Sequence, residues 1–461
     1  MSHSHHLHYQ HTTWSSSRGF ILAATGAAVG LGNIWKFPYM AGNNGGSAFV
    51  MVYILAILAI GMPLMIAEIL LGRMGRENPI NTMLKLAKAN NRSPSWQLAG
   101  FWGAIGLILA LSFYSVVAGW TIGYFFKYCG YLLHLNSTAQ PTATTEILGV
   151  WQNFLSSASS LTIYHSVFIL LTVGVVMAGV TKGIERASNI MMPLLFILLI
   201  ILVIYAGIYG DLTAGFNFLF KPDFSKLNST VIIDALGHAF FTLAVGAGCM
   251  LTYGAYLPEH TSIIRSVFII TALDVLVAFL SGMTIFPIVF ANGLAPDGGP
   301  DLMFKVLPIA FATIPFGNFV GVLFFLLLIF AAWTSSISMV EPLVMILIER
   351  TRLPRAVSCL LIGAVCWVIG MFALLSFNEW QHILFFNRWT FFGAITDLTT
   401  NIFLPVGCLL FAVFAGWKIS PLSTRNILAR QTDHHFKIWQ FLIRYIAPIG
   451  IVLVLVNSFV N

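Results

Sequence analysis

Eleven apolar runs, parted by short polar segments, decide what this chain can fold into. A helix needs about 20 apolar residues to cross a bilayer. Runs of that size lie near residues 17–42, 46–72, 97–131, 165–181, 188–210, 232–257, 264–292, 316–348, 356–375, 389–417 and 438–459; they are called spans 1 to 11 below. Several exceed 20 residues, so tilt or breaks are expected. Lipid cannot bond backbone groups, which leaves helices as the use for such runs. Only 8% of the residues are charged, against roughly a quarter in a soluble domain, too few to cover a water-facing surface. The expected fold is an all-α integral membrane protein of about eleven transmembrane helices. It forms one domain over 17–459 behind a polar tail, 1–16.

Lys and Arg placement gives the orientation. With the N-terminus in the cytoplasm, all but six of the 23 basic residues fall on the inner side. The six are Lys36, Lys127, Lys221, Lys226, Lys305 and Arg388. This is the positive-inside pattern, and one missed span would scramble it. The net charge of +7 therefore reflects topology and not a nucleic-acid partner. Cys129, Cys249, Cys359, Cys366 and Cys408 show no metal or redox spacing and read as small apolar residues. The tail MSHSHHLHYQHTTW lacks the layout of a signal peptide. Its histidines could bind a metal, but a loose solvated tail is the plainer reading. The polar outer loop near 134–163 is expected to carry a short helix.

Span 1 contains TGAAVGLGNIWKFPYMAGNNGG, with Gly26, Gly30 and Gly32 at membrane depth, and span 6 contains FFTLAVGAGCML, with Gly246 and Gly248. Glycine is costly inside a helix. Here it lets the chain leave the helical path, freeing carbonyls and amides that must then face protein, water, ions or substrate. Glycines that only let helices pack closely are the alternative. The two breaks lie five spans apart, as in a 5+5 inverted repeat, about 17–210 and 232–417, with span 11 (438–459) outside it. Such matched breaks point to a transporter site at the midplane.

Polar residues inside the spans add to this reading. Asp274 has no neighbouring basic residue in TALDVLVAFLSG, and Glu68 lies in PLMIAEILLGR. An intramembrane carboxylate is a functional candidate by default. Asp274 could ligate a cation; Glu68 could equally be a hydrogen-bonded structural acid. Thr334, Ser335 and Ser336 interrupt span 8, although such hydroxyls often bond only the carbonyl one turn back. No nucleophile–base pair, HExxH or phosphate loop appears, so an enzyme is not expected.

GAAVGLGNIWKFPY…NNGGSAF, PLMIAEILLGR, KGIER, NFLFKPDFSKL, FFTLAVGAG and the TSS of span 8 together resemble the neurotransmitter:sodium symporter family, in its bacterial amino-acid branch, over nearly the whole chain. The resemblance implies sodium-coupled uptake by alternating access at the bacterial inner membrane, with no organic cofactor. It implies two sodium sites. The first would use the Ala28 carbonyl, Asn33, Thr242, Asp274 and the substrate carboxylate. The second would use the carbonyls of Gly26, Val29 and Ala331 and the hydroxyls of Thr334 and Ser335. A hard cation suits such oxygen-only sets. The animal members look to have Asn at Asp274 and hold a chloride nearby, so a fixed carboxylate implies chloride independence; His238 lies close enough to modulate proton movement there.

The same resemblance assigns the substrate pocket to Ala27, Ala28, Leu31, Gly32, Ala110, Tyr114, Phe241, Ala244, Ala247, Ser335 and Met339. Monoamine transporters place Asp at Gly30; glycine suits a substrate with its own carboxylate, held by the amides of Leu31 and Gly32 and the Tyr114 hydroxyl. The apolar lining implies a neutral amino acid with a bulky apolar or aromatic side chain. Lys36 and Asp397 stand at an outer charged gate. His11 and Glu349 stand at an inner one, where the family has Arg in place of His11; a neutral imidazole would latch more weakly, opening more readily as pH rises. An amino-acid sensor of the same fold and a proton-coupled transporter are the competing readings.

Overall fold

The computed structural model describes residues 13–133, 141, 143–296, 302–385, 388–428 and 433–460. The expected His11 gate and the histidine tail lie outside the described residues. Among those described, nine helices are long and apolar enough to cross a membrane: Ser47–Gly75, Pro94–Leu132, Ala158–Met177, Val180–Tyr209, Ile263–Ala291, Gly317–Thr351, Arg355–Leu375, Phe391–Lys418 and His434–Phe459. They correspond to spans 2–5 and 7–11. Span 1 is two helices, Ser17–Ala28 and Gly32–Asn43, bent by 47°. Span 6 is also two, Ser229–Thr242 and Cys249–Ala255. The outer loop carries the helix Thr144–Ser156.

Local sequence explains the breaks. Helix Ser17–Ala28 starts on a side-chain cap, Ser16 Oγ accepting from Gly19 N at 3.0 Å. It stops where Val29 turns to extended backbone (ψ 104°). The chain resumes through a π-helical turn, Gly32–Lys36, with Pro38 two residues on. The same pairing recurs at Ile57–Gly61 with Pro63 and at Leu398–Phe403 with Pro405. Proline donates no bond and crowds the carbonyl four residues back, so the preceding turn widens. In span 6, Ala244, Gly246 and Gly248 all have positive φ (51°, 92° and 85°), which ends the helix at Thr242.

Packing brings the two breaks together. Span 8 runs along span 3 and the inner half of span 1, and the inner half of span 6 lies on span 2. That last contact is close: a Cβ at Gly72 would come 2.8 Å from Ala255 N, and one at Gly254 would come 2.8 Å from Ile69 Cα. Small residues give tight approach where lipid offers no hydrophobic drive. Leu55, Ile208, Phe268 and Leu453 are exposed on the outer faces, as expected of a lipid-facing surface.

Candidate functional site

The broken segments of spans 1 and 6 wall a small, largely apolar pocket. Its lining includes ten of the eleven residues expected from sequence: Ala27, Ala28, Gly32, Ala110, Tyr114, Phe241, Ala244, Ala247, Ser335 and Met339. Leu31 is not in the lining. Its amide is spent on the Tyr114 hydroxyl, Leu31 N donating to Oη at 3.3 Å. Gly30, Leu107, Cys249 and Leu404 also line the pocket. A Cβ on Gly30 would run into the Ser335 hydroxyl and come 3.0 Å from Tyr114 Oη, so the space at this position belongs to the pocket. Leu107 and Leu404 gave no signal in the sequence, because a leucine in an apolar run looks the same whichever way it faces.

Asp274 is fully buried in span 7. Asn33 Nδ2 donates to its Oδ1 at 2.8 Å, and Thr242 Oγ1 lies 3.2 and 3.3 Å from the two carboxylate oxygens. Tyr53, not singled out from sequence, donates to Oδ2 at 3.4 Å. Asn33 Oδ1 accepts from Gly30 N at 3.1 Å, which ties this cluster to the break in span 1. Every donor to Asp274 is neutral. A buried carboxylate with neutral partners favours an added cation.

The second cluster joins span 1 to span 8. Ser335 Oγ donates toward the carbonyls of Gly26 (3.2 Å) and Val29 (3.3 Å). Thr334 Oγ1 reaches Ala331 O at 3.1 Å and Phe330 O at 3.0 Å. Of the groups expected at the second sodium site, Gly26, Val29 and Ser335 thus meet across two helices, while the Thr334 hydroxyl is bonded to Ala331 within span 8.

Glu68, fully buried, accepts from Gly246 N through Oε1 and so holds the break of span 6 from span 2. His238 is 1% exposed and packs its ring against Phe37, Phe49 and Tyr53, one ring away from the phenol that bonds Asp274.

The two ends differ. The end at Lys36, taken above as the outer one, opens into a vestibule lined by Lys36, Asp234, His238, Arg388, Asp397 and Asn401 among others. Lys36 and Asp397, expected as a closed pair, share this cavity but form no ion pair. Lys36 Nζ lies 4.3 Å from the Phe241 ring centre, and Asp397 accepts from Asn401 Nδ2 at 2.6 Å. The inner side is packed. Trp14 is buried, its indole donating to Tyr253 O and its amide to Tyr256 O, both at 3.0 Å. Tyr256 Oη donates to Glu341 at 2.8 Å, and Glu341 is ion-paired with Arg355. Glu349 accepts from Asn78 N (2.9 Å) and Nδ2 (2.6 Å). Glu341 and Asp234 are also carboxylates inside apolar runs, the same sequence signal that marks Asp274.

Comparison with known proteins agrees with this geometry. The Sodium:neurotransmitter symporter family matches residues 11–166 and 145–461. An uncharacterized sodium-dependent transporter of Bacillus subtilis is 37% identical over 96% of this chain and 97% of its own length. The crystal structure of MhsT in complex with L-phenylalanine superposes with a TM-score of 0.89 at 36% identity, covering 97% of this chain and 100% of that one. A sodium- and chloride-dependent glycine transporter 2 of Xenopus laevis is 26% identical over 72% of this chain and 50% of its own length.

Proposed function

This chain belongs to the sodium:neurotransmitter symporter family, and from that premise we propose that it imports a neutral amino acid with a bulky apolar or aromatic side chain, driven by two sodium ions and independent of chloride. That it is a multi-pass, sodium-dependent transporter and not an enzyme follows from the family. The finer reading rests on one observation. Both helix breaks and Ser335 line a single pocket whose walls are apolar and often small, and the Asp274 cluster is tied to that pocket through Asn33, which accepts from Gly30 N.

The chemistry follows from the groups present. A cation among the Ala28 carbonyl, Asn33, Thr242 and Asp274 would face the pocket at Gly30, where a substrate carboxylate could complete its ligand set. Two ligands that share a partner each raise the other's affinity by the same factor, which is coupling. A cation among Gly26, Val29, Ala331, Thr334 and Ser335 would tie the inner half of span 1 to span 8 and so link sodium to opening on the inner side. The amides of the restarted helix, Gly32 among them, sit at a positive helix end suited to an anion. The side chain would enter past Ala110, Ala244 and Ala247. The likeness to a relative solved with L-phenylalanine supports an aromatic or large apolar substrate.

Asp274 supports chloride independence, since it supplies a fixed negative charge beside the first cation. The distribution of Lys and Arg supports an N-terminus on the cytoplasmic side of a bacterial inner membrane. The test is uptake in proteoliposomes with chloride replaced by gluconate. Unchanged sodium-driven uptake is expected; collapse would remove the role given to Asp274.

A further inference from the structure

Lys36 stands at the mouth of the pocket, and the position of its ammonium is informative. It lies over the ring of Phe241, on the outer half of span 6. Asp234 and His238 lie seven and three residues before Phe241 on the same helix, so all three share one stripe. Asp234 and His238 line the vestibule together with Lys36. The ammonium therefore points along the span 6 stripe and not across the vestibule to span 10. There Asp397 is already engaged by Asn401 Nδ2 at 2.6 Å.

We infer that Asp234 is the counter-charge of Lys36 while the vestibule is open, and that closing the outer gate moves the Lys36 ammonium from Asp234 to Asp397. Three features fit this exchange. Lysine is a point charge on a flexible stem and does not demand a bidentate partner, so it can change carboxylates; arginine would be bound more rigidly. Asp234 and Asp397 both border the cavity at the mouth of which Lys36 stands, a cavity that Arg388 also lines. The receiving acid is held by a neutral amide that a cation can outcompete. Asp234 is thus a positioning residue that acts through Lys36. This rests on the transport reading above, but its test does not need transport.

The experiment uses the full-length protein in proteoliposomes carrying Thr400→Cys, a vestibule position, and follows labelling by a membrane-impermeant thiol reagent in sodium. Asp234→Asn in that background frees Lys36 to close on Asp397; labelling is expected to slow at least about threefold. Asp234→Glu keeps the charge and should label like the parent. Asp397→Asn added to Asp234→Asn should restore the parent rate. In a Lys36→Gln background, Asp234→Asn should have no further effect, because a residue acting through Lys36 has nothing left to position. Unchanged labelling in Asp234→Asn overturns the proposal. So does an equal slowing by Asp234→Glu, or a slowing that survives Lys36→Gln, since either assigns the effect to general damage of span 6. Sodium-driven uptake by the parent is measured in the same vesicles: its absence would count against the proposed function, while the labelling pattern would still decide the gate.

Discussion

At the scale of single residues, the site depends on where side chains are absent as much as on where they are present. Gly30 leaves the space between Ser335 and Tyr114 that a Cβ would fill. Gly30→Ala should lower uptake on the order of tenfold or more with little change in thermal midpoint, because small displacements of a positioned group are costly to the rate. Asp274 is held by Asn33, Thr242 and Tyr53. Asp274→Asn removes the one fixed charge of the first cluster and should abolish sodium-driven uptake in proteoliposomes. Retained uptake in that variant would mean that Asp274 is structural. Glu341 makes a stability statement instead. It is fully buried and paired with Arg355. Arg355→Gln leaves that charge without its cation and should cost about 3–5 kcal/mol, whereas Glu341→Gln with Arg355→Gln should recover most of the loss. A thermal-shift series in detergent reads both.

At the scale of elements, the two broken helices wall the pocket, and they break for different reasons. Span 1 breaks at glycines and re-enters through a π-helical turn set by Pro38. Span 6 turns through three positive-φ residues, one of them Ala244 at φ 51°. A left-handed alanine costs roughly 1–2 kcal/mol. Glycine there returns about 0.5–1 kcal/mol in chain entropy. The net gain from Ala244→Gly is therefore small, on the order of 0.5–1 kcal/mol. A thermal midpoint that falls would show that the Ala244 methyl is needed as a wall of the pocket. Both breaks were legible in the sequence because glycine inside an apolar run has few uses. The partners of the breaks were less so. Tyr53 and Leu107 are ordinary residues in their runs, and only packing turns them inward. Lys36 shows the limit most clearly: its place at the mouth could be read from the order of residues, but its position over the Phe241 ring of span 6 is a tertiary contact, which no spacing encodes.

At the scale of the whole molecule, one end is packed and the other opens into a vestibule, as the proposed alternating cycle requires of one of its states. Trp14 buries its indole against Tyr253 and Tyr256 beneath the pocket, while Lys36, Asp234 and Asp397 border open space above it. The apolar runs carried the order of the spans, since a bilayer admits few alternatives. The central claim is that sodium binding and the capture of a bulky neutral amino acid share one pocket. It is tested most directly by uptake of a labelled amino-acid panel into proteoliposomes, with sodium, proton and chloride gradients imposed one at a time. The account predicts accumulation of an aromatic or large apolar amino acid under the sodium gradient alone, unaffected by replacing chloride. Accumulation under a proton gradient without sodium, or a preference for glycine or a dicarboxylic amino acid, would contradict it.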